Sequence, residues 1–162
     1  MITPLFDEKY YFSLVEHIVS AKHSISFTVF HSNFSHRDPS CPVKNLLDKI
    51  LLVSTAGVLC QCIFPSLRHT FTGFQSNIKV LNYLNRGGVL CSTFERSSIV
   101  HSKFFLIDNT YLFIGSHNLT KRSLTATVET SILVSGDPVV KAFADRFRYY
   151  LSFSKKFAPK DV

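Results

Sequence analysis

Apolar positions along this chain alternate between a spacing of three to four and a spacing of two, and the switches between them mark out the elements. Over positions 7–22, Tyr11, Leu14, Val15, Ile18 and Val19 recur at helical intervals, which predicts a first amphipathic helix. Positions 24–30 alternate Ile25, Phe27 and Val29 with serine and threonine, the period of a strand. A polar loop with two prolines follows over positions 31–42. Pro42 suits the first turn of a second helix, whose inward stripe is Val43, Leu46, Leu47, Ile50 and Leu51 and whose end is set by Gly57. Positions 58–64 are almost continuously apolar, as a central strand requires. A loop over positions 65–74 precedes a helix at 75–86, with Ile78, Leu81 and Leu84 inward and Gly87-Gly88 as its stop. Positions 89–93 form the next strand.

From position 101 the pattern tightens. Ser102, Phe104 and Leu106 fall on one face of a strand, and Lys103, Phe105 and Ile107 on the other. Asp108-Asn109 is a turn dipeptide, positions 111–114 return as a second strand, and Gly115 is expected to break it. Positions 119–124 read as a short turn or helix and 128–134 as another strand. Asp137 is expected to cap, and Pro138 to open, a last helix with Val140, Phe143, Phe147, Tyr150 and Leu151 on its apolar face. The basic tail from Lys155 to Lys160 is expected to fray. Strands and helices alternating in this way predict an α/β layered fold, read as one domain over residues 1–162.

With 46% hydrophobic residues the chain is not a disordered one. Eighteen lysines and arginines against 11 acidic residues give a net charge of +7, which favours a polyanionic partner, either nucleic acid or an anionic membrane surface. Positions 50–67 carry no charge, but Gly57, Pro65 and several polar residues interrupt them. A spanning helix needs about 20 predominantly apolar residues, so no membrane span is expected. The four cysteines, Cys41, Cys60, Cys62 and Cys91, have no zinc spacing. They read as reduced thiols, and Cys60 and Cys62 as buried packing in a strand. His31, His36 and Cys41 share a loop without the spacing of a metal site and read as solvated residues. Neither a basic nor an apolar leader segment follows Met1, so a cytoplasmic setting is expected.

The chemistry concentrates between positions 101 and 118. On a strand, His101 and Lys103 point to the same side, and a hairpin through Asn109-Thr110 returns Ser116 and Asn118 beside His101. An imidazole, an ammonium, a hydroxyl and an amide then converge. Lysine, asparagine and serine donate to phosphate oxygens, and a neutral histidine can attack phosphorus. This set calls for no metal ion and no cofactor. The bland alternative is a core hairpin with a stray histidine and lysine.

The run His101-x-Lys103, four residues, Asp108, six residues, Gly115-Ser116-x-Asn118 resembles the HKD signature of the phospholipase D superfamily, with every spacing met. The resemblance is tightest from His101 to about Val134. It implies a mixed β-sheet flanked by helices on both faces. It also implies that two motif copies complete one site, one histidine attacking and the other protonating the leaving oxygen. This chain holds one copy, since none of His17, His23, His31, His36, His69 and His117 is followed by lysine two positions on. Family members with one motif, such as small bacterial nucleases and mitochondrial relatives, look like this, and a homodimer would supply the second copy.

By the same resemblance, Lys103, Asn118 and Ser116 would hold the non-bridging oxygens, and Glu129 would fix an active-site imidazole. Asp108 is expected to secure the turn, and Gly115 to serve the backbone of the motif. His117 fills the variable position and is given no role. Arg68, Lys121 and Arg122 are candidate nucleic-acid contacts, although the aromatic-rich loop around Arg68 suits self-packing equally. The favoured activity is therefore a metal-independent nuclease acting on DNA or RNA. The alternatives are a lipid hydrolase or phosphatidyl transferase, and a non-catalytic nucleic-acid-binding module.

Overall fold

Eight strands form one mixed sheet in the order β1-β7-β6-β5-β2-β3-β4-β8 in this computed structural model, which describes residues 1–66, 74–136 and 138–159. The elements in chain order are β1 (Ile2–Phe6), α1 (Glu8–Ser20), β2 (Ser24–Thr28), α2 (Pro42–Thr55), β3 (Leu59–Pro65), α3 (Phe74–Arg86) and β4 (Leu90–Phe94). They continue with β5 (Phe104–Ile107), β6 (Tyr111–Gly115), α4 (Lys121–Thr125), β7 (Thr130–Ser135), α5 (Val139–Ser152) and β8 (Ser154–Lys156). The neighbours β2, β3 and β4 run parallel, joined by α2 and α3 as crossover helices. All other pairings are antiparallel.

The alternation read from the sequence decides which layer each side chain joins. Phe105 and Ile107 belong to the apolar cluster that Tyr10, Leu14 and Ile18 of α1 and the stripe of α2 cover. Phe104 and Leu106 belong to the opposite cluster, closed by Val140, Ala144 and Phe147 of α5. Helices therefore lie on both faces, as expected. The 4.6 Å stack of Phe27 on Phe105 ties β2 to β5 at the centre of the sheet. Burying a phenylalanine of this kind contributes about 2–3 kcal/mol, so these two rings weigh heavily in a net stability of roughly 5–15 kcal/mol.

Several expectations need correction. The tail does not fray through Phe157: β8 pairs with β4, the Phe157 N–H donates to the Cys91 carbonyl at 2.9 Å, and the Phe157 ring is buried. Three polar residues, Ser154 to Lys156, can form that strand because an edge position leaves their side chains in solvent. A strand before α1, β1, also forms on the other edge against β7. Its Pro4, which lacks an N–H, is tolerated at an edge. Gly115 ends β6 rather than breaking it. It pairs with Ser131, and a Cβ there would fall 2.4 Å from the Ser131 Cα and the Thr130 carbonyl. Pro138 occupies the cap of α5 rather than its first turn, and its carbonyl accepts from the Ala142 N–H. Asp137 lies outside the described residues.

The four cysteines are free and buried, with the Sγ atoms of Cys62 and Cys91 3.5 Å apart on neighbouring strands. Burial raises the Cys60 thiol to about 11. Cys41 is buried and caps α2 from inside the core, against the expectation of a solvated residue, His31 is partly buried, and His36 is exposed as expected, its ring edge-on to Phe34 and Tyr83. Among the described residues no three histidine, cysteine or acidic side chains gather as a metal site, and no helix is long and apolar enough to cross a membrane.

Candidate active site

The site is the open end of the β5–β6 hairpin. At the closed end, Asp108 and Asn109 both adopt positive φ, 53° and 50°, and the Thr110 N–H donates to the Ile107 carbonyl at 3.0 Å. Such mirror-image turns match the twist of the strands they join, and after glycine, asparagine and aspartate tolerate them best. Asp108 also reaches back across the sheet. Its carboxylate accepts from the N–H groups of Lys22, His23 and Ser24 at 2.7–2.9 Å, fixing the start of β2. Burial alone would raise this carboxyl, but the three donors prevail and hold it below the usual carboxylate range. Asp108 thus lies one strand length from His101 and secures the fold.

At the open end, regular pairing of β5 begins only at Phe104, so residues 101–103 precede the strand predicted to contain them. The Gly115 N–H still donates to the Lys103 carbonyl at 3.4 Å, keeping the two motif halves together. His101 is exposed. The Lys103 side chain is buried, with Nζ 3.3 Å from both ring nitrogens of His101 and 2.8 Å from the His101 carbonyl. Phe30, just after β2, backs both groups: its ring lies 4.5 Å from the His101 ring and 5.5 Å from Lys103 Nζ. Partial desolvation of the ring, aided by the Lys103 charge, lowers the His101 pKa. Burial also lowers Lys103, against the pull of the Glu129 carboxylate.

Opposite stand the returning residues. Asn118 Oδ1 accepts from the His31 N–H at 3.2 Å, which orients the amide, and the Asn118 N–H donates to Ser123 Oγ at 2.9 Å. Glu129 joins this side: Oε1 accepts from Ser123 Oγ at 2.7 Å and Oε2 accepts from Ser116 Oγ. The Ser116 hydroxyl in turn accepts from the Thr130 N–H at 3.0 Å. Within one chain, then, the Glu129 carboxylate is engaged by two serines.

His101, Lys103, Ser116, Asn118 and Glu129 line one open cleft of about 990 Å³, together with Phe143, Arg146 and Tyr150 of α5. The residues from α5 escape sequence reasoning, because Arg146 sits beside an ordinary apolar stripe and belongs to no motif. Ser102 draws that helix in, its hydroxyl 2.8 Å from the Tyr150 hydroxyl. Asn77, fully buried on α3, is another silent contributor. It accepts from the Ser32 N–H at 2.7 Å and donates to the Phe30 carbonyl at 3.0 Å, bracing the segment that carries Phe30 and His31.

Other candidates fall elsewhere. Lys121 pairs with Asp38 at 2.7 Å, and Lys121 and Arg122 line a separate depression with Arg37 and Lys79. Arg68 lies outside the described residues. Thr120 caps α4, accepting from the Ser123 N–H at 3.1 Å. His117, given no role from its position, is buried. Its ring stacks on Tyr10 at 4.1 Å, with Nδ1 2.7 Å from Ser131 Oγ and Nε2 3.0 Å from the Asp7 carbonyl. It joins α1 to the hairpin and points away from the cleft.

Comparison with known proteins places the fold in a family. A family model described as "Cardiolipin synthase, PLD-like domain" matches residues 14–151. The chain is 29% identical over 136 residues to a mitochondrial cardiolipin hydrolase of Danio rerio, covering 83% of this chain and 53% of that protein. It therefore spans about half the length of this relative. Two solved structures share the fold. Nuc from Salmonella typhimurium has a TM-score of 0.79 at 18% identity, with 97% of each chain covered. NucT from Helicobacter pylori has a TM-score of 0.74 at 17% identity, with 97% of this chain and all of that one covered. With the family model running from α1 to the end of α5, the chain belongs to the phospholipase D superfamily of phosphodiesterases.

Proposed function

We propose that this protein is a metal-independent nuclease that cleaves phosphodiester bonds of DNA or RNA through a phosphohistidine, with two copies of the chain completing one site. The observation that carries this reading is the pairing of an exposed imidazole with a buried ammonium 3.3 Å away, facing Asn118 across an open cleft. Lysine beside histidine keeps the ring neutral and nucleophilic while offering N–H donors to a phosphate oxygen.

One His101 attacks phosphorus, forming the N–P bond as the bond to the leaving oxygen breaks. The partner's His101 gives its proton to that oxygen. It then takes a proton from water, which attacks phosphorus and releases the first imidazole. Lys103 and the Asn118 amide of both copies meet the charge that builds on the non-bridging oxygens. Glu129 and Ser116 form the wall from which a second imidazole can be oriented. The net charge of +7 supplies sequence-independent attraction to a polyanion.

A lipid phosphodiester is the second reading, favoured by the name of the Danio rerio relative, a mitochondrial cardiolipin hydrolase. Incubation of the protein with labelled single- and double-stranded DNA and RNA in excess EDTA tests the choice. Cleavage that disappears in His101→Ala is the expected result. Inert nucleic acids with hydrolysis of cardiolipin or phosphatidylcholine vesicles would establish the second reading, and inactivity on all of them would overturn both.

A further inference from the structure

A second groove opens beside His101, between the exposed residues 96–99 and α5. It encloses about 380 Å³ and shares His101, Ser102, Arg146 and Tyr150 with the main cleft, so the two are continuous. Arg96 and Ile99 form one wall, and Arg146 and Tyr149 the other. No carboxylate lines it, and among the described residues neither arginine has a salt bridge. Arg96 is held in place, donating to the Tyr149 hydroxyl at 2.9 Å with its guanidinium 4.5 Å from the Phe153 ring. The Arg146 guanidinium lies 5.3 Å from the Tyr149 ring and 5.8 Å from that of Tyr150. Tyr149 and Ile99 are 43% and 48% exposed, so an aromatic and an aliphatic face are both offered to solvent beside two cations.

A space at the small end of the usual 300–1,000 Å³ range, with arginine forks and an exposed aromatic edge, suits a planar group attached to a phosphate. Resting on the nuclease reading above, we propose that this groove is a subsite for the nucleotide next to the scissile phosphate of a single-stranded nucleic acid. Arg96 and Arg146 receive the flanking phosphate, and the base packs on Tyr149. A base inside a duplex has both faces covered by its neighbours and cannot make that contact, whereas an unpaired base can. The groove therefore gives the site a preference for single strands.

The experiment compares kcat/KM of wild-type protein, Tyr149→Ala, Tyr149→Phe and Arg96→Ala on three substrates in EDTA. These are a single-stranded 12-mer, its duplex, and methyl 4-nitrophenyl phosphate, which has no flanking phosphate and carries its one ring on the leaving group. Wild type is expected to favour the single strand. Tyr149→Ala should lower kcat/KM for the single strand about tenfold relative to the small ester, the size of one lost base stack. Tyr149→Phe keeps the ring but removes the hydroxyl that holds Arg96, so it should lose less than Tyr149→Ala and retain the preference for the single strand. Arg96→Ala should lower the same ratio and flatten its salt dependence. Equal loss on the single strand and the small ester would assign Tyr149 to positioning His101 and overturn the subsite alone. No change on any substrate, or a wild type that prefers the duplex, would also overturn it alone. A wild type that hydrolyses the small ester or lipid vesicles but no nucleic acid would overturn the nuclease reading and the subsite with it.

Discussion

The Lys103 ammonium is 3.3 Å from both ring nitrogens of His101 while donating to that residue's own carbonyl at 2.8 Å. Partial desolvation of the ring disfavours its charged form, and a fixed positive charge so close acts in the same direction. An NMR titration of the His101 ring should therefore have its midpoint below the ordinary value of about 6.5. The acid limb of kcat/KM should track it. Lys103→Met should move the midpoint upward but only part of the way, because desolvation, the larger cause, remains. A midpoint at or above the ordinary value in the unmodified protein would contradict this picture.

The proposed pairing of two copies of His101 makes a quantitative demand on mixed samples. If wild type and His101→Ala exchange subunits freely at equal amounts, only pairs with both imidazoles complete the cycle. Activity should then fall to about one quarter of that of wild type alone at the same total concentration, against about one half if each chain works by itself. Analytical ultracentrifugation of the same samples checks that the variant still associates.

Glu129 collects two serine hydroxyls at the foot of the cleft. Glu129→Gln replaces one acceptor by a donor, so one serine loses its partner. With the group half exposed, about 1–2 kcal/mol of stability should go, a fall in Tm of roughly 2–8 °C by calorimetry. Turnover measured well below that Tm should fall further than the stability loss explains, since the cleft wall built by Glu129 and its serines is then rearranged.

Asp108 gives a pH-dependent contribution of known sign. Its carboxyl is held below the usual range in the folded chain, so its stabilisation is present above the unfolded value of about 3.9 and is lost as pH falls through the folded one. Asp108→Asn tolerates the positive φ but faces three N–H donors with a single oxygen. It should cost about 1–3 kcal/mol at pH 7 by urea denaturation, and the gap to wild type should narrow below about pH 4.

Gly115 is fixed by proximity. A methyl group there meets the backbone of Ser131 and Thr130 at 2.4 Å, and backbone cannot swing aside as a side-chain tip can. Gly115→Ala should therefore separate β6 from β7 locally and destabilise the fold by about 1–3 kcal/mol. Hydrogen exchange should show faster exchange at the Ser116 amide, which donates to the Thr130 carbonyl.

What could be read from the sequence was whatever is encoded at short range. Six motif positions within 18 residues lie on one hairpin, so local spacing already implies their meeting. The phenylalanines of β5 declared their layers by alternation. The edge strands did not, because β1 contains a proline and β8 is Ser-Lys-Lys, and only their partners make them strands. His117 looked like a filler residue because its partners, Tyr10 and the Asp7 carbonyl, are more than 100 positions away. Lys121, adjacent to the motif in sequence, is turned toward Asp38, while Arg146, far along the chain, lines the cleft. Proximity in sequence gave no hint of either placement.

The contact between Ser102 and Tyr150 spans 48 positions of sequence and joins the residue after the proposed nucleophile to α5. An unbiased mutational screen scored on turnover should consequently return hits along that helix, well beyond the segment anyone would choose to mutate by motif. Such variants would be enzymatically impaired while melting normally, and they would be misfiled as remote effects unless the helix is counted as part of the reaction chamber.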